Sequence, residues 1–98
     1  MTTITVHLKI TGRVQGVGYR ESLRMVADAL EVTGWVRNCA DGSVEATLQG
    51  EEQHVERVIE WCQNGPPDAS VQYVNTTLRN ASEQYTAFTR LSDVNTDG

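Results

Sequence analysis

Residues 12–20, which read Gly-Arg-Val-Gln-Gly-Val-Gly-Tyr-Arg, are the stretch whose residue types and spacing could do chemistry. It holds three glycines and two arginines, with no acidic residue, serine, threonine or cysteine. Glycine lets backbone amides approach a ligand closely, and a guanidinium group matches phosphate oxygens in a bidentate manner. The stretch therefore predicts a binding site for an anion such as phosphate.

The elements on either side place this stretch at the start of a helix. Residues 4–11 alternate between apolar and polar types, which predicts a strand with one buried face. A helix is predicted from about residue 20, because an apolar stripe follows at the spacing i, i+3, i+4 and i+7; its members are Leu23, Val26, Ala27 and Leu30. Amides at a helix start lack intrahelical acceptors and are a ready anion site.

Arg20 is the most informative residue of the stretch. A cation in the first helical turn is disfavoured by the helix dipole, by about 0.3–1 kcal/mol. An anion held between the guanidinium group and the amides explains why arginine stands there. A tight glycine turn followed by a solvated arginine is the alternative that these residues leave open.

The spacing of other reactive residues argues against several phosphate chemistries. The stretch lacks the Lys-Ser/Thr ending of a nucleotide-binding loop. Neither Cys39 nor Cys62 is followed six residues later by an arginine, and His7 and His54 stand far apart without carboxylates at metal-ligand spacing. We therefore expect no metal, no cofactor and no covalent phosphoenzyme.

The middle of the chain predicts a hairpin and a second helix. Strand-like runs at 34–40 and 43–49 flank Asp41-Gly42, which predicts a type I′ hairpin. The next stripe predicts a helix over about 52–63, ended by Asn64-Gly65-Pro66-Pro67; its members are Val55, Val58, Ile59 and Cys62. Cys62 lies on that stripe and is expected to be a small core residue.

The order of elements predicts the fold class. A fourth strand is expected over about 70–78 and a weaker fifth over about 85–91. The order βαββαβ predicts an α+β, ferredoxin-like split βαβ sandwich, with an antiparallel sheet and two helices on one face. We expect a single domain over 1–91 and a flexible polar tail over 92–98. This architecture carries many functions, so the fold alone does not decide between them.

Composition narrows the classes of function. The 98 residues suit one soluble domain, with 39% hydrophobic and 21% charged residues. A net charge of −5 argues against a nucleic-acid partner. No apolar run approaches the roughly 18 residues of a membrane span, and the amino terminus lacks a basic region typical of a signal peptide. We expect a cytoplasmic protein, with both cysteines as free thiols.

Two stretches together resemble the acylphosphatase family. Residues 12–20 fit its first signature, G-x-V-Q-G-V-x-x-R, and residues 34–38, Gly-Trp-Val-Arg-Asn, fit its second. Gly42, Val44 and Gly50 continue the second signature, and the likeness spans about residues 4–75. Tyr19 stands where phenylalanine is frequent in the family, a change that keeps the aromatic ring.

The resemblance implies hydrolysis of acyl phosphates to carboxylate and inorganic phosphate, without a metal. It places the phosphoryl group on the guanidinium group of Arg20 and on the backbone amides of residues 15–20, and it assigns Asn38 to orient the attacking water. The substrate-binding residues that it implies are Gln15, Gly16, Val17, Gly18 and Tyr19. Inorganic phosphate or sulfate is expected to fit the same site, and the identity of the acyl group stays open.

Two other readings stay open at this stage. One is a non-catalytic module of the same fold that binds phosphate or an acyl phosphate without hydrolysing it. The other is an RNA-binding sheet, which would present aromatic side chains on its open face; only Trp35 and Tyr73 fall within the relevant strands, and the chain is acidic. We expect neither a nucleic acid nor a membrane as partner, and we expect a monomer.

Overall fold

A computed structural model describes residues 2–80 and 83–93, and it contains the predicted elements in the predicted order. They are β1 (Thr3–Arg13), α1 (Tyr19–Ala29), β2 (Thr33–Asn38), β3 (Val44–Glu51), α2 (Glu52–Cys62), β4 (Ser70–Arg79) and β5 (Phe88–Arg90). The α+β, ferredoxin-like arrangement is confirmed. Beyond Asp93, the tail predicted to be flexible lies outside the described residues.

The sheet has the strand order β4-β1-β3-β2-β5. The first four strands form an antiparallel ladder, as predicted. β5 instead pairs in parallel with β2, beginning at Gly34 and Phe88, so the five-stranded sheet is mixed. The sheet contains this parallel pair because the chain leaves β4 at one edge and returns at the opposite edge in the direction of β2.

One core lies between the sheet and the two helices. Alternate residues of β1 are buried on this side, and both helical stripes pack against them. The helical members of the core are Tyr19, Leu23 and Ala27 from α1 and Val55, Val58 and Cys62 from α2. Burial raises the pKa of the Cys62 thiol to about 12, so this group stays protonated. Neither helix in the described ranges is long and apolar enough to cross a membrane.

The opposite face of the sheet carries paired polar groups. The Glu45 carboxylate accepts hydrogen bonds from Arg37 Nε at 2.7 Å and pairs with His7 Nε2 at 2.8 Å. The guanidinium group of Arg37 lies 5.0 Å from the ring centroid of Trp35. His7 is thus a paired surface histidine, as its polar position in β1 indicates.

The turn between β2 and β3 differs from the predicted type I′ hairpin. Type I′ needs positive φ at both central residues, but φ is positive at Gly42 (91°) and not at Asp41. The Gly42 N–H donates to the Cys39 carbonyl at 3.2 Å, and the Cys39 N–H donates to the Ser43 carbonyl at 2.8 Å. This is a three-residue loop ending in a left-handed glycine. Asp41 stabilises it, because its carboxylate accepts from the Ser43 N–H at 3.0 Å.

Replacement of Gly34 by alanine should destabilise the fold strongly. Gly34 has φ of 135°, and an added Cβ would lie 1.9 Å from the backbone oxygen of Thr47 on β3. Strain and overpacking together should lower the free energy of unfolding by about 4 kcal/mol. Gly42→Ala is the matched control, since Gly42 also has positive φ but no atom within 4 Å of an added Cβ. Urea unfolding of both variants tests this, and equal losses would contradict it.

Candidate active site

Residues 14–18 form the loop that joins β1 to α1, and we call them the anion loop. Gly16 and Gly18 have φ of 73° and 79°, and an added Cβ at either would meet no atom within 4 Å. Glycine is therefore favoured there by backbone conformation and not by crowding. Gly18 is the N-cap of α1 and makes no side-chain capping bond. The first amides of α1 thus remain available to an anion.

Tyr19, the first residue of α1, anchors the anion loop to the core. Its side chain is buried, its hydroxyl donates to the Cys62 carbonyl at 2.6 Å, and its ring lies 5.4 Å from that of Trp61. An added Cβ at Gly65 would lie 2.7 Å from the Tyr19 ring. Burial raises the pKa of the phenol, so the hydroxyl stays a donor. Only the backbone amide of Tyr19 is left for the predicted contact with substrate.

Gln15 connects the anion loop to the β2–β3 turn. Its side-chain Nε2 donates to the Cys39 carbonyl at 2.8 Å and to the Ser43 carbonyl at 2.9 Å. Cys39 directly follows Asn38 in the chain. The predicted substrate contact of Gln15 is therefore left to its backbone amide, because its side-chain amide is engaged with the turn.

Arg20 is held by a carboxylate from the end of the described chain. Its Nη1 donates to Asp93 Oδ1 at 2.8 Å, and the Arg20 side chain is 24% exposed whereas that of Asp93 is 61% exposed. Within the part of the chain that the structure describes, one N–H of the guanidinium group engages one carboxylate oxygen, so the other guanidinium donors can serve an anion. A surface pair of this kind contributes about 0–1 kcal/mol, less than the about 1.5–3 kcal/mol of each hydrogen bond to a charged group.

The neighbouring Glu21 has its own basic partners. It accepts hydrogen bonds from Arg24, at 3.1 Å from Nε, and from Arg90 on β5, at 3.1 Å from Nη1. The hydrogen bonds from Arg24 and then Arg90 lower the pKa of Glu21 to about 2. Glu21 is thus charged and paired with these two guanidinium groups. The Arg90 contact also fixes β5 against the start of α1.

Asn38, the last residue of β2, points to the helix side of the sheet. Only 8% of its surface is exposed. Its Oδ1 atom is buried and has no hydrogen-bond partner among residues 2–80 and 83–93. Buried polar atoms normally have a partner, so a buried amide oxygen of this kind is suited to a water molecule or a ligand donor.

The predicted site residues meet at one end of the sheet. The Leu91 N–H donates to the Val36 carbonyl at 2.8 Å, so the chain after β5 continues beside β2. Asp93 in that segment binds Arg20, while Gln15 joins the anion loop to the turn after Asn38. The donors predicted to bind phosphate and the amide of Asn38 are therefore linked through contacts from three separate segments.

Sequence reasoning did not identify Asp93 or the two turn carbonyls as part of this arrangement. Asp93 stands 73 residues from Arg20, in a stretch predicted to be a flexible tail. No local pattern marks such a contact. The carbonyls of Cys39 and Ser43 belong to the backbone, which has no sequence signature of its own. The motif did include Gln15, but it indicated the amide and not the side chain.

This arrangement is chemically suited to hold an oxyanion at the anion loop and Arg20, with a water molecule oriented by the asparagine amide beside it. Backbone amides and a guanidinium group can offer hydrogen bonds and positive charge to an anion, and such groups stabilise transition states of transfer reactions. An asparagine amide can both accept from and donate to water.

Known proteins are similar to this chain in both fold and sequence. The sequence model of the family described as Acylphosphatase matches residues 6–90. An acylphosphatase of Thiobacillus denitrificans is 48% identical over 89 residues, which is 91% of this chain and 98% of that protein. The solved acylphosphatase of Coxiella burnetii superposes with a TM-score of 0.87 at 38% identity, covering 91% of this chain and 93% of that one. The Bacillus subtilis acylphosphatase structure gives 0.87 at 33% identity, with coverage of 90% and 98%.

Proposed function

Because this chain belongs to the acylphosphatase family, we propose that Arg20 and the anion loop bind the phosphoryl group of its substrate and that Asn38 orients the water. The reaction is hydrolysis of an acyl phosphate, a mixed anhydride of a carboxylic acid and phosphate. The observation that supports these roles best is an arginine in the first turn of α1, behind a glycine N-cap without a side-chain capping bond.

The proposed reaction proceeds in one displacement. Water forms a bond to phosphorus, the bond between phosphorus and the acyl oxygen breaks, and the carboxylate leaves with the electron pair. The amides of residues 15–20 and the Arg20 guanidinium group stabilise the phosphoryl oxygens as negative charge develops. A phosphoryl oxygen of the substrate accepts the proton from water, so no protein base is required.

Asn38 contributes by position. Its Oδ1, which has no hydrogen-bond partner among the described residues, accepts a hydrogen bond from the attacking water and so fixes the direction of the water's lone pair. Correct orientation of two reactants is a large part of many rate enhancements. A carboxylate is a good leaving group, so orientation and charge stabilisation together are sufficient for this chemistry.

Turnover of benzoyl phosphate, with and without EDTA, tests this function. We expect hydrolysis that EDTA leaves unchanged, because the proposed groups include no metal, and competitive inhibition by inorganic phosphate or sulfate. Binding of phosphate without any hydrolysis would instead identify a non-catalytic binding module. That the protein is a cytoplasmic monomer stays a prediction from its sequence.

A further inference from the structure

We propose that the side chain of Gln15 is a positioning residue for catalysis, one that holds Asn38 at its working distance from the anion loop. The inference rests on the proposed roles of the loop and of Asn38. It assigns to Gln15 a function through its side chain, in addition to any contact between its backbone amide and the phosphoryl group.

The strand order explains why such a link is needed. The anion loop follows β1 and Asn38 ends β2, but β3 lies between these two strands. Among the described residues, therefore, no ladder hydrogen bond joins β1 to β2, and within the sheet these two strands are connected through β3. A small change in twist at either ladder would move Asn38 relative to bound phosphate.

The two hydrogen bonds of Gln15 cross this gap. Its amide nitrogen gives one N–H to each of two carbonyls, those of Cys39 and Ser43, at 2.8 and 2.9 Å. These two residues close the base of the three-residue turn, since the Cys39 N–H donates to the Ser43 carbonyl at 2.8 Å. Cys39 directly follows Asn38 in the chain. Hydrogen bonds that hold the turn in place therefore also hold the backbone of Asn38 in place.

The chemistry of glutamine suits this position. A neutral amide donates two hydrogen bonds to two neutral carbonyls without placing a charge beside the phosphoryl group. Glutamate of the same length would offer only acceptors to those carbonyls, and methionine would offer no donor. Misplacement by about 1 Å can lower the rate of an oriented reaction by about 10²-fold, so the contacts bear on rate more than on binding.

The test is Gln15→Met, which preserves side-chain length and removes both donors. We expect kcat for benzoyl phosphate to fall by about 10-fold or more, with the inhibition constant of inorganic phosphate within about 3-fold of the wild-type value. Gln15→Asn keeps the amide but shortens the side chain by one methylene, so kcat should fall in the same way. This variant provides the test if the methionine variant fails to fold. Gln53→Met, at an exposed position of α2, is the control and should not change kcat.

A double-mutant cycle with Asn38→Ala separates positioning from a merely structural role. If Gln15 acts through Asn38, Gln15→Met should change kcat by less than about 2-fold once Asn38 is alanine. A repeat of the full loss in that background, an unchanged kcat in the single variants, or a phosphate affinity that falls in step with rate would each overturn the inference. Absence of turnover by the wild-type protein would overturn the proposed function itself. The outcomes above would overturn only the role of Gln15, so failure of the function and failure of the inference are distinguishable.

Discussion

Replacement of Arg20 by alanine should lower kcat/KM for an acyl phosphate by at least about 10²-fold, the usual effect of removing one donor that stabilises developing charge. Arg20 contributes the positive charge of the first turn of α1, and its one described ion pair leaves further N–H donors available. Part of the loss should appear as weaker phosphate inhibition, because the same contact exists in the bound ground state. Steady-state kinetics with benzoyl phosphate and inhibition by inorganic phosphate measure both effects.

We expect Arg20→Ala to leave the stability of the fold nearly unchanged, so that a loss of rate can be attributed to the site. The helix dipole disfavours a cation at this position, and the pair with Asp93 is partly exposed and contributes little. The free energy of unfolding should therefore change by no more than about 0.5 kcal/mol. Arg24→Ala, one turn further along α1, removes an arginine that pairs with Glu21 and Asp28, and it should keep its activity. Full activity of Arg20→Ala, or equal losses in both variants, would refute the assignment.

Replacement of Asn38 by alanine should abolish most turnover while leaving phosphate binding intact. The expected fall in kcat is about 10²-fold or more, because the attacking water loses the group that orients it. The inhibition constant of inorganic phosphate should stay within about 3-fold of the wild-type value, since the anion loop and Arg20 are unchanged. This division between kcat and binding distinguishes Asn38 from Arg20.

The structure also predicts that Asn38→Ala folds normally. The Asn38 Oδ1 atom makes no hydrogen bond within the described ranges. Its removal therefore leaves no buried donor without an acceptor. Asn75→Ala, at an exposed position of β4, is the control and should keep full activity. If phosphate affinity and kcat of Asn38→Ala declined together, the water-orienting role would be wrong.

Local sequence patterns were sufficient to predict most of the fold. Alternation in residues 4–11 and the two apolar stripes follow directly from the periods of strands and helices, and β1, α1 and α2 are found where these patterns indicate. The left-handed glycines of the anion loop also lie where the sequence places them, directly before α1. Glycines before a helix and an arginine in its first turn indicate an anion site through local chemistry alone, and that site stays a prediction.

Other features depend on contacts that no local pattern encodes. The Asp41-Gly42 pair indicated a type I′ hairpin, but Asp41 keeps a negative φ and binds Ser43 instead. The parallel pairing of β5 with β2 depends on how the chain crosses from one sheet edge to the other. In the sequence, Gly34 is simply the first residue of the second signature. The approach of the Thr47 backbone in the structure shows why a side chain is excluded at this position.

The anchors of the anion loop have a consequence for folding. Gln15 contacts a residue 28 positions away, Tyr19 one that is 43 positions away, and Arg20 one that is 73 positions away. Contacts this distant in sequence form slowly, because long segments must first be closed. An intermediate that has formed only its helices and the β2–β3 hairpin therefore has no assembled active site. Recovery of enzymatic activity during refolding would report the completion of the whole topology, from the first strand to the last.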